Sequence, residues 1–464
     1  MPVAFLVFIG FLALVFLMGG GSRDDIASLP ILRPACALIA AYAVSIAMPG
    51  QIARVRFPLT LIGLLALWMV IQLLPLPVAL WSALPGRAAI AATDQLLGLG
   101  DVWRPISLSP SKTVNALGSL IVPVAALLLY AVQDDQARRR IPLIFIAIAA
   151  VSAAVGIAQI GTGGAGALYL YAKTNLGTPV GLFSNRNHHA AFEATMLVLI
   201  GWYFADRRLR AERTKGEVGP LLVGAALLLS VFVTLFSGSR AGLLIGLVAA
   251  GVAIALWFAT PRGDRRESHH GELTGWRVWL PSAAAVVIAL AVVAYLGTRS
   301  TSFDRLVQLS AGDELRVQIF PQISAMANDH WLFGTGFGAF EHAYRQYEAS
   351  DWLRTTYVNN AHDDWAQWVI EGGLPAILIF LAFAVWMVRR LIAVWRERQA
   401  RPGTVLLVAT ATLVLGLMLI ASVFDYPLRV PSLMVYAVLL VALVADPPLP
   451  LAARSRSSSR RGRN

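Results

Sequence analysis

Long apolar stretches alternate with short basic segments along almost the whole of this chain of 464 residues. A helix needs about 20 predominantly apolar residues to cross about 30 Å of hydrocarbon. Stretches of that kind recur near residues 3–19, 34–49, 57–75, 113–132, 141–160, 188–205, 219–236, 240–259, 278–296, 365–388, 404–424 and 428–446. The pattern therefore predicts an all-α polytopic membrane protein with about twelve transmembrane helices.

The composition excludes several classes of protein. Mean hydropathy is +0.67 and only 14% of the residues are charged, whereas a soluble domain carries about 25%. The net charge of +12 does not indicate nucleic-acid binding, because the arginines lie in short loops and a C-terminal tail, as cytoplasmic flanks of spans do. The single cysteine, Cys36, excludes an intrachain disulfide and any cysteine-cluster metal site.

Basic residues also orient the chain. If both termini are cytoplasmic, the inner segments are 50–56, 133–140, 206–218, 260–277, 389–403 and the tail from 447. They carry 24 of the 38 Lys and Arg residues, as the positive-inside rule requires. This orientation places Arg186, Arg240, Arg316 and His362 on the outer face of the membrane.

The same pattern divides the chain into five segments. Residues 1–180 form N-terminal transmembrane helices, and residues 181–296 form central ones. Residues 297–364 form a large outer loop, in which amphipathic helical sequence precedes the turn LFGTGFGAF, and we expect this loop to cap the membrane helices. Residues 365–446 form C-terminal transmembrane helices, and residues 447–464 form a basic, disordered cytoplasmic tail that contacts anionic lipid.

Three polar segments stand at the outer ends of spans: GLFSNRNHHAAFE (181–193), FSGSRAG (236–242) and VNNAHDDWAQWVIEGG (358–373). Each enters its span from outside and presents a helix N-terminus, which favours anions. The N-cap candidates are Ser184 or Asn185, Ser237 or Ser239, and Asp363. If the three ends converge, they form an electropositive pocket, with Arg186 and Arg240 beside it, that fits a lipid-linked phosphate or diphosphate.

His362 is the candidate catalytic base, because histidine titrates near neutral pH and accepts a proton from an attacking sugar hydroxyl. Polar neighbours surround it in sequence, namely Asn359, Asn360, Asp363 and Asp364. Asp363 or Asp364 either orients the imidazole or caps the following helix.

Two acids and one histidine pair complete the polar inventory. Glu193 and Glu371 lie inside predicted spans, where an acid needs a partner or a cavity. We expect Glu193 to pair with an arginine and Glu371 to have a structural or pocket-lining role. His188 and His189 are adjacent and therefore point apart on a helix, so they do not predict a metal site.

These motifs occur in an order that resembles one known family. The chain carries SGSRAG after a long apolar run, then DELRVQIF with Arg316, then DHWLFGTGFGAFEHAYRQY, and then NNAHDDWAQWVIEGGLP. Residues 180–425 thereby resemble the O-antigen ligase and polymerase superfamily of bacterial envelopes. The resemblance implies a GT-C-like membrane glycosyltransferase of the inner membrane, with a large periplasmic loop and the active site on the periplasmic side. It implies no metal and no nucleotide cofactor.

The resemblance also implies substrates and roles. The donor is a glycan on undecaprenyl diphosphate, and the acceptor is lipid A–core in ligases or a second lipid-linked glycan in polymerases. The arginine of the family's Ser-Arg motif corresponds to Arg240, its loop arginine to Arg316 and its loop-end histidine to His362. Asp363 stands where the family commonly has Asn. The segment FSNRNHHA, which contains Arg186, stands where the family often has FxNxNH. Asp363, Asn360 and Glu193 are expected to support the site.

The resemblance also leads to a mechanism. The arginines stabilise the leaving diphosphate, His362 activates the acceptor hydroxyl, and direct displacement inverts the anomeric centre.

Alternatives stay open at this point. Within the class, the sequence does not separate a ligase from a polymerase of O-antigen or exopolysaccharide repeat units. A transporter of polysaccharide or lipid-linked sugar also has many spans. Transporters, however, usually place polar groups near the bilayer midplane and often show two related halves. A purely structural or signalling membrane protein is the remaining possibility.

Overall fold

The computed structural model describes residues 2–162, 166–210, 218–261, 311–348 and 358–449, with side chains from residue 318 onward in the fourth range. The described chain is mostly helical, which confirms the predicted all-α class. The α-helices are α1 (Val3–Met18), α2 (Leu29–Ser45), α3 (Arg56–Leu73), α4 (Val78–Ser82), α5 (Ala88–Leu96), α6 (Pro110–Ser119), α7 (Ile121–Val132), α8 (Asp135–Gly161), α9 (Arg186–Leu209), α10 (Gly219–Phe236), α11 (Arg240–Ala259), α12 (Ala311–His330), α13 (Phe340–Tyr344), α14 (Asp364–Arg396), α15 (Pro402–Phe424) and α16 (Pro431–Ala445).

Short elements connect some of these helices. Ile52–Val55 and Pro427–Arg429 are 3-10 helices. Strand β1 (Pro75–Leu76) pairs antiparallel with β2 (Arg104–Pro105).

Seven segments of the described chain are long and apolar enough to cross a membrane. They are Ile52–Leu73, Pro110–Val132, Asp135–Gly161, Gly219–Phe236, Arg240–Ala259, Asp364–Arg396 and Pro402–Phe424. Helices α1, α2 and α16 are apolar but shorter, and α9, which occupies the predicted sixth span, carries several charged residues. The predicted span 278–296 lies outside the described residues. The chain is therefore a multi-pass membrane protein, and the count of twelve stays a prediction.

The chain divides into two compact units. Unit 1 comprises residues 1–133, 311–392 and 422–446, and unit 2 comprises residues 134–310, 393–421 and 447–464. Each unit thus combines segments that are distant in sequence.

In unit 1, helix α14 is broken inside the predicted tenth span. Gly373 adopts φ 61° and ψ −159°, which a residue with a Cβ rarely adopts. The break frees the carbonyls of residues 370–372, and a buried carbonyl requires a donor. Hydrogen bonds of 2.7–3.1 Å come from Thr335, Gly336, Gln72 and Trp68. The broken helix is therefore stabilised by partners outside itself.

The segment LFGTGFGAF supplies two of these partners. Gly334, Gly336 and Gly338 have φ of 74°, 96° and 81°, so the segment forms the turn that the sequence predicts. A Cβ on Gly336 would lie 2.5 Å from Oγ of Ser107, and one on Gly334 would overlap the carbonyl of Glu371. The glycines therefore allow this turn to approach the neighbouring backbone closely.

In unit 2, small residues bring helices α9, α10 and α11 together. A Cβ added to Gly246 would lie 2.6 Å from Cγ2 of Thr234, and one added to Gly201 would lie 2.7 Å from Cβ of Ala253. Close approach at small residues is a common means of packing membrane helices, because lipid is as apolar as the side chains and the hydrophobic effect does not drive the helices together.

Three predicted helix starts are confirmed. The side chains of Asn185, Ser239 and Asp363 accept hydrogen bonds of 2.8–3.1 Å from backbone N–H groups in the first turns of α9, α11 and α14. Capping of this kind satisfies N–H groups that lack partners within the helix. Arg186 and Arg240 are consequently the first residues of their helices.

Candidate active site

The backbone at His362 is unusual. Its φ is 54°, and it is the only residue other than glycine with positive φ in the described chain. Such a conformation costs of order 1–3 kcal/mol and persists where the surroundings impose it, often at functional sites. This turn carries a partly exposed imidazole, with a side-chain exposure of 25%.

A buried acid contacts this imidazole. Nδ1 of His362 lies 3.3 Å from Oδ1 of Asp425, whose side chain is 6% exposed. The ring also packs on Tyr426, with 5.1 Å between ring centroids. An ionised carboxylate only accepts hydrogen bonds, so in the neutral imidazole this contact places the proton on Nδ1 and the lone pair on Nε2. The arrangement gives His362 the tautomer of a general base.

The sequence predicted Asp363 or Asp364 as the residue that orients His362, and it left helix capping as the alternative. The structure shows capping for Asp363, which accepts from the N–H groups of Trp365 and Ala366. Burial raises the pKa of Asp363, although these two hydrogen bonds lower it. Asp364 bonds elsewhere, so Asp425 occupies the orienting position.

Asp364 belongs to a cluster of three charges. Nε of Arg429 lies 2.9 Å from Oδ1 of Asp364, and Nη1 lies 2.9 Å from Oε2 of Glu371. Glu371 is fully buried, and Ser422 donates to the other oxygen of Asp364. Burial lowers the pKa of Arg429, but the two carboxylates offset this effect and raise it above its usual value. Arg429 therefore stays charged and holds the start of α14 against the turn at 427–429.

Asn360 joins the same region through Gln367. The side-chain amide of Gln367 donates to Oδ1 of Asn360 at 3.2 Å and to Oε1 of Glu371 at 3.0 Å. Its oxygen accepts from the N–H of Ala361 at 3.0 Å. The backbone just before His362 is thus tied to the buried charge cluster, and the supporting role of Asn360 stays a prediction.

The predicted diphosphate-binding arginines lie on three helices. Arg240 and Arg186 are in unit 2, each directly after its capping residue. Arg316 is in unit 1 on α12, and its side chain lies outside the described part of the chain. Because Arg240 and His362 belong to different units, their predicted common pocket stays a prediction.

The expectation for Glu193 requires a correction. Its carboxylate contacts His189, with Nε2 3.2 Å from Oε1, and accepts from Oγ of Ser230 at 2.7 Å. Among the described residues, no arginine contacts it. His189 is four residues earlier on α9, so helical geometry places it on the same face and provides the partner locally.

A second buried histidine lies in unit 1. Nε2 of His330 lies 3.1 Å from the hydroxyl of Tyr347, which donates to Asp329 at 2.7 Å. Burial and the Arg87 guanidinium lower the pKa of His330 to about 4, against the opposite effect of Asp329. His330 is therefore neutral in the folded protein at neutral pH.

Sequence reasoning missed Asp425 and Arg429. Both lie in FDYPLR: Asp425 follows the span predicted at 404–424, and Arg429 falls inside the span predicted at 428–446. An arginine inside an apolar stretch is costly unless it is paired. The position of Arg429 inside an apolar stretch was therefore the signal that could have identified the cluster.

Comparison with known protein families gives a match that includes several of these residues. A family model for O-antigen ligase matches residues 225–381, which include Arg240, Arg316 and His362. A search of the curated proteins finds no match. The family indicates a function of the O-antigen ligase or polymerase type, with a lipid-linked glycan donor and a glycan acceptor. Residues 225–381 thus match the O-antigen ligase family, and this match supports the O-antigen ligase superfamily for that part of the chain.

Proposed function

We propose that this protein transfers a glycan from undecaprenyl diphosphate to a hydroxyl of lipid A–core at the periplasmic face of the bacterial inner membrane. The family match supports the reaction class. The observation that carries the assignment of a base is the strained, partly exposed His362 with Nδ1 against buried Asp425. A hydroxyl nucleophile at neutral pH needs such a base.

The reaction follows from this tautomer. Nε2 of His362 takes the proton of the acceptor hydroxyl as its oxygen attacks the anomeric carbon. The bond from that carbon to the diphosphate oxygen breaks, and undecaprenyl diphosphate leaves with the electron pair. One displacement of this kind inverts the anomeric centre. Asp425 stabilises the imidazolium that forms, as a carboxylate beside a histidine base does.

Arg240, Arg316 and Arg186 are proposed to bind the diphosphate. Arginine matches phosphate oxygens with two parallel N–H donors, and its charge persists at all physiological pH values. Arg240 and Arg186 also begin helices of 20 and 24 residues, whose N-termini favour anions. Charge on the leaving group grows during bond breaking, so these cations lower the barrier rather than only binding the donor.

Transfer in proteoliposomes tests the proposal. His362→Ala is expected to lower the rate by about 100-fold to 10,000-fold, the usual contribution of a general base. His342→Ala, on helix α13, is the matched control and is expected to retain the wild-type rate. Full activity of His362→Ala would reject the base assignment.

Acceptor dependence separates the related functions. Transfer that requires added lipid A–core indicates a ligase, whereas chain growth from lipid-linked glycan alone indicates a polymerase of repeat units. Movement of the lipid-linked glycan across the membrane without transfer would indicate a transporter and would overturn the proposal.

A further inference from the structure

His189 occupies a closed slot in unit 2. Its side chain and that of Glu193 are completely buried. A Cβ on Gly156 would lie 2.9 Å from Cε1 of His189, and a Cβ on Gly181 would lie 2.6 Å from Nε2. The ring of Phe183 packs beside it, with 5.7 Å between centroids. The lack of a Cβ at the two glycines thus makes room for the imidazole.

The hydrogen bonds of this ring fix one of its protons. Nδ1 lies 2.8 Å from the carbonyl oxygen of Pro179, which only accepts, so Nδ1 is protonated. Nε2 lies 3.2 Å from Oε1 of Glu193, and neither atom has another hydrogen-bonding partner among the described residues. The second carboxylate oxygen accepts from Ser230 at 2.7 Å.

This contact requires a second proton. A neutral imidazole would turn the Nε2 lone pair toward a carboxylate, and the two would repel each other without water to separate them. A proton shared between Nε2 and Oε1 gives either an imidazolium with a carboxylate or an imidazole with a carboxylic acid. Both forms make the pair neutral overall. Polar side chains beside the pair, namely Ser152, Ser230 and Gln159, which bonds the backbone of Gly181, do not titrate.

We propose that His189 and Glu193 hold one shared proton and thereby fix the start of α9, so that Arg186 is positioned for the donor diphosphate. The ring bonds the loop at Pro179, while the backbone N–H of His189 donates to the carbonyl of Asn185, the capping residue, at 3.1 Å. Both residues are positioning residues that act through Arg186. The inference rests on the proposed role of Arg186.

Four variants of the full-length protein in proteoliposomes test it: Glu193→Gln, Glu193→Leu, Arg186→Ala and the double variant Arg186→Ala with Glu193→Leu. The amide of Glu193→Gln donates to Nε2 and its oxygen accepts from Ser230, so near wild-type transfer and an unchanged pH profile are expected. Glu193→Leu is expected to raise the donor KM by about 10-fold to 100-fold, because misplacing a binding group by about 1 Å has that effect. The double variant should be no worse than the poorer single variant.

The outcomes separate the two proposals. An unchanged donor KM in Arg186→Ala would overturn the role of Arg186 itself. A raised KM in Arg186→Ala with a normal one in Glu193→Leu would overturn only the positioning role. Loss of activity in Glu193→Gln equal to that in Glu193→Leu, or a shifted pH profile, would overturn the shared neutral proton.

A milder change keeps the test open if Glu193→Leu does not fold. Ser230→Ala removes one hydrogen bond to Glu193 and is expected to raise the donor KM by about fivefold, the equivalent of one hydrogen bond. An unchanged KM would contradict the inference.

Discussion

Arg429 offers the sharpest test of the packing in unit 1. Its guanidinium lies 2.9 Å from both Asp364 and Glu371, and Glu371 is fully buried. Arg429→Met removes the cation but keeps a side chain of similar length. Two carboxylates then face each other without a counter-charge, and Gln367 and the N–H of Phe340 remain as the partners of Glu371.

The magnitude follows from distance and burial. At an effective dielectric of about 20, unit charges about 4 Å apart attract by about 4 kcal/mol, so two such pairs offer about 8 kcal/mol. Desolvation of three charges offsets much of that attraction. Removing one partner of a buried pair nevertheless costs about 3–5 kcal/mol, because the remaining charge stays buried. We expect Arg429→Met to lower the free energy of unfolding by that amount.

The assay is denaturant unfolding of purified protein in mixed micelles, followed by tryptophan fluorescence. Arg429→Met combined with Glu371→Gln and Asp364→Asn removes all three charges and should restore more than half of the loss. Arg398→Met is the matched control, because Arg398 is exposed and, among the described residues, contacts Trp395 through its guanidinium; it should change stability by less than about 0.5 kcal/mol.

Two results would refute the reasoning. If Arg429→Met unfolds within about 1 kcal/mol of the wild type, the three-charge cluster does not stabilise the start of α14. If the triple variant is no more stable than the single variant, the loss arises from packing around residue 429 rather than from uncompensated charge.

Three further predictions concern strain, pH and the base. Gly373→Ala should destabilise by about 3 kcal/mol or more, because its Cβ meets backbone at 2.7 Å in a positive-φ conformation, whereas Gly416→Ala, with open space around it, should not; thermal unfolding measures both. His330 has a folded pKa of about 4, so below about pH 6.5 the unfolded state binds a proton that the folded state does not. The free energy of unfolding therefore decreases as the pH is lowered, by up to about 1.4 kcal/mol per pH unit. Unfolding measured from about pH 7 to about pH 4.5 should show a shallower loss for His330→Gln, and equal slopes would contradict this. Asp425→Asn keeps an oxygen for His362 but loses the charge, so transfer should fall by about tenfold, against about 100-fold for Asp425→Ala; equal rates in transfer assays would count against the orienting role.

Local features were predictable from sequence. The helices follow from runs of apolar residues, and the caps at Asn185, Ser239 and Asp363 follow from a polar side chain directly before such a run. The turn at 334–338 follows from its glycines. Each of these features depends on residues within a few positions of each other, so spacing alone identifies them.

Long-range partners were not predictable in the same way. His362 and Asp425 are 63 positions apart, and several acids near His362 in sequence competed for the same role. The break at Gly373 lay within an apolar run, where hydropathy does not distinguish a continuous helix from a broken one. For Glu193, the partner that the structure shows is His189, one helical turn earlier, and not the arginine that the sequence predicted.

The turn at 334–336 and the broken helix meet through main-chain atoms, as Thr335 and Gly336 donate directly to the carbonyls of residues 370 and 371. Recognition along such a junction depends on chain length and register rather than on side-chain chemistry. Inserting one residue between 333 and 337 would displace every later donor along the junction, whereas conservative side-chain exchanges on the outer surface of the same loop would leave it intact. Grafting this loop between relatives would therefore succeed only if the number of residues across 332–338 is kept.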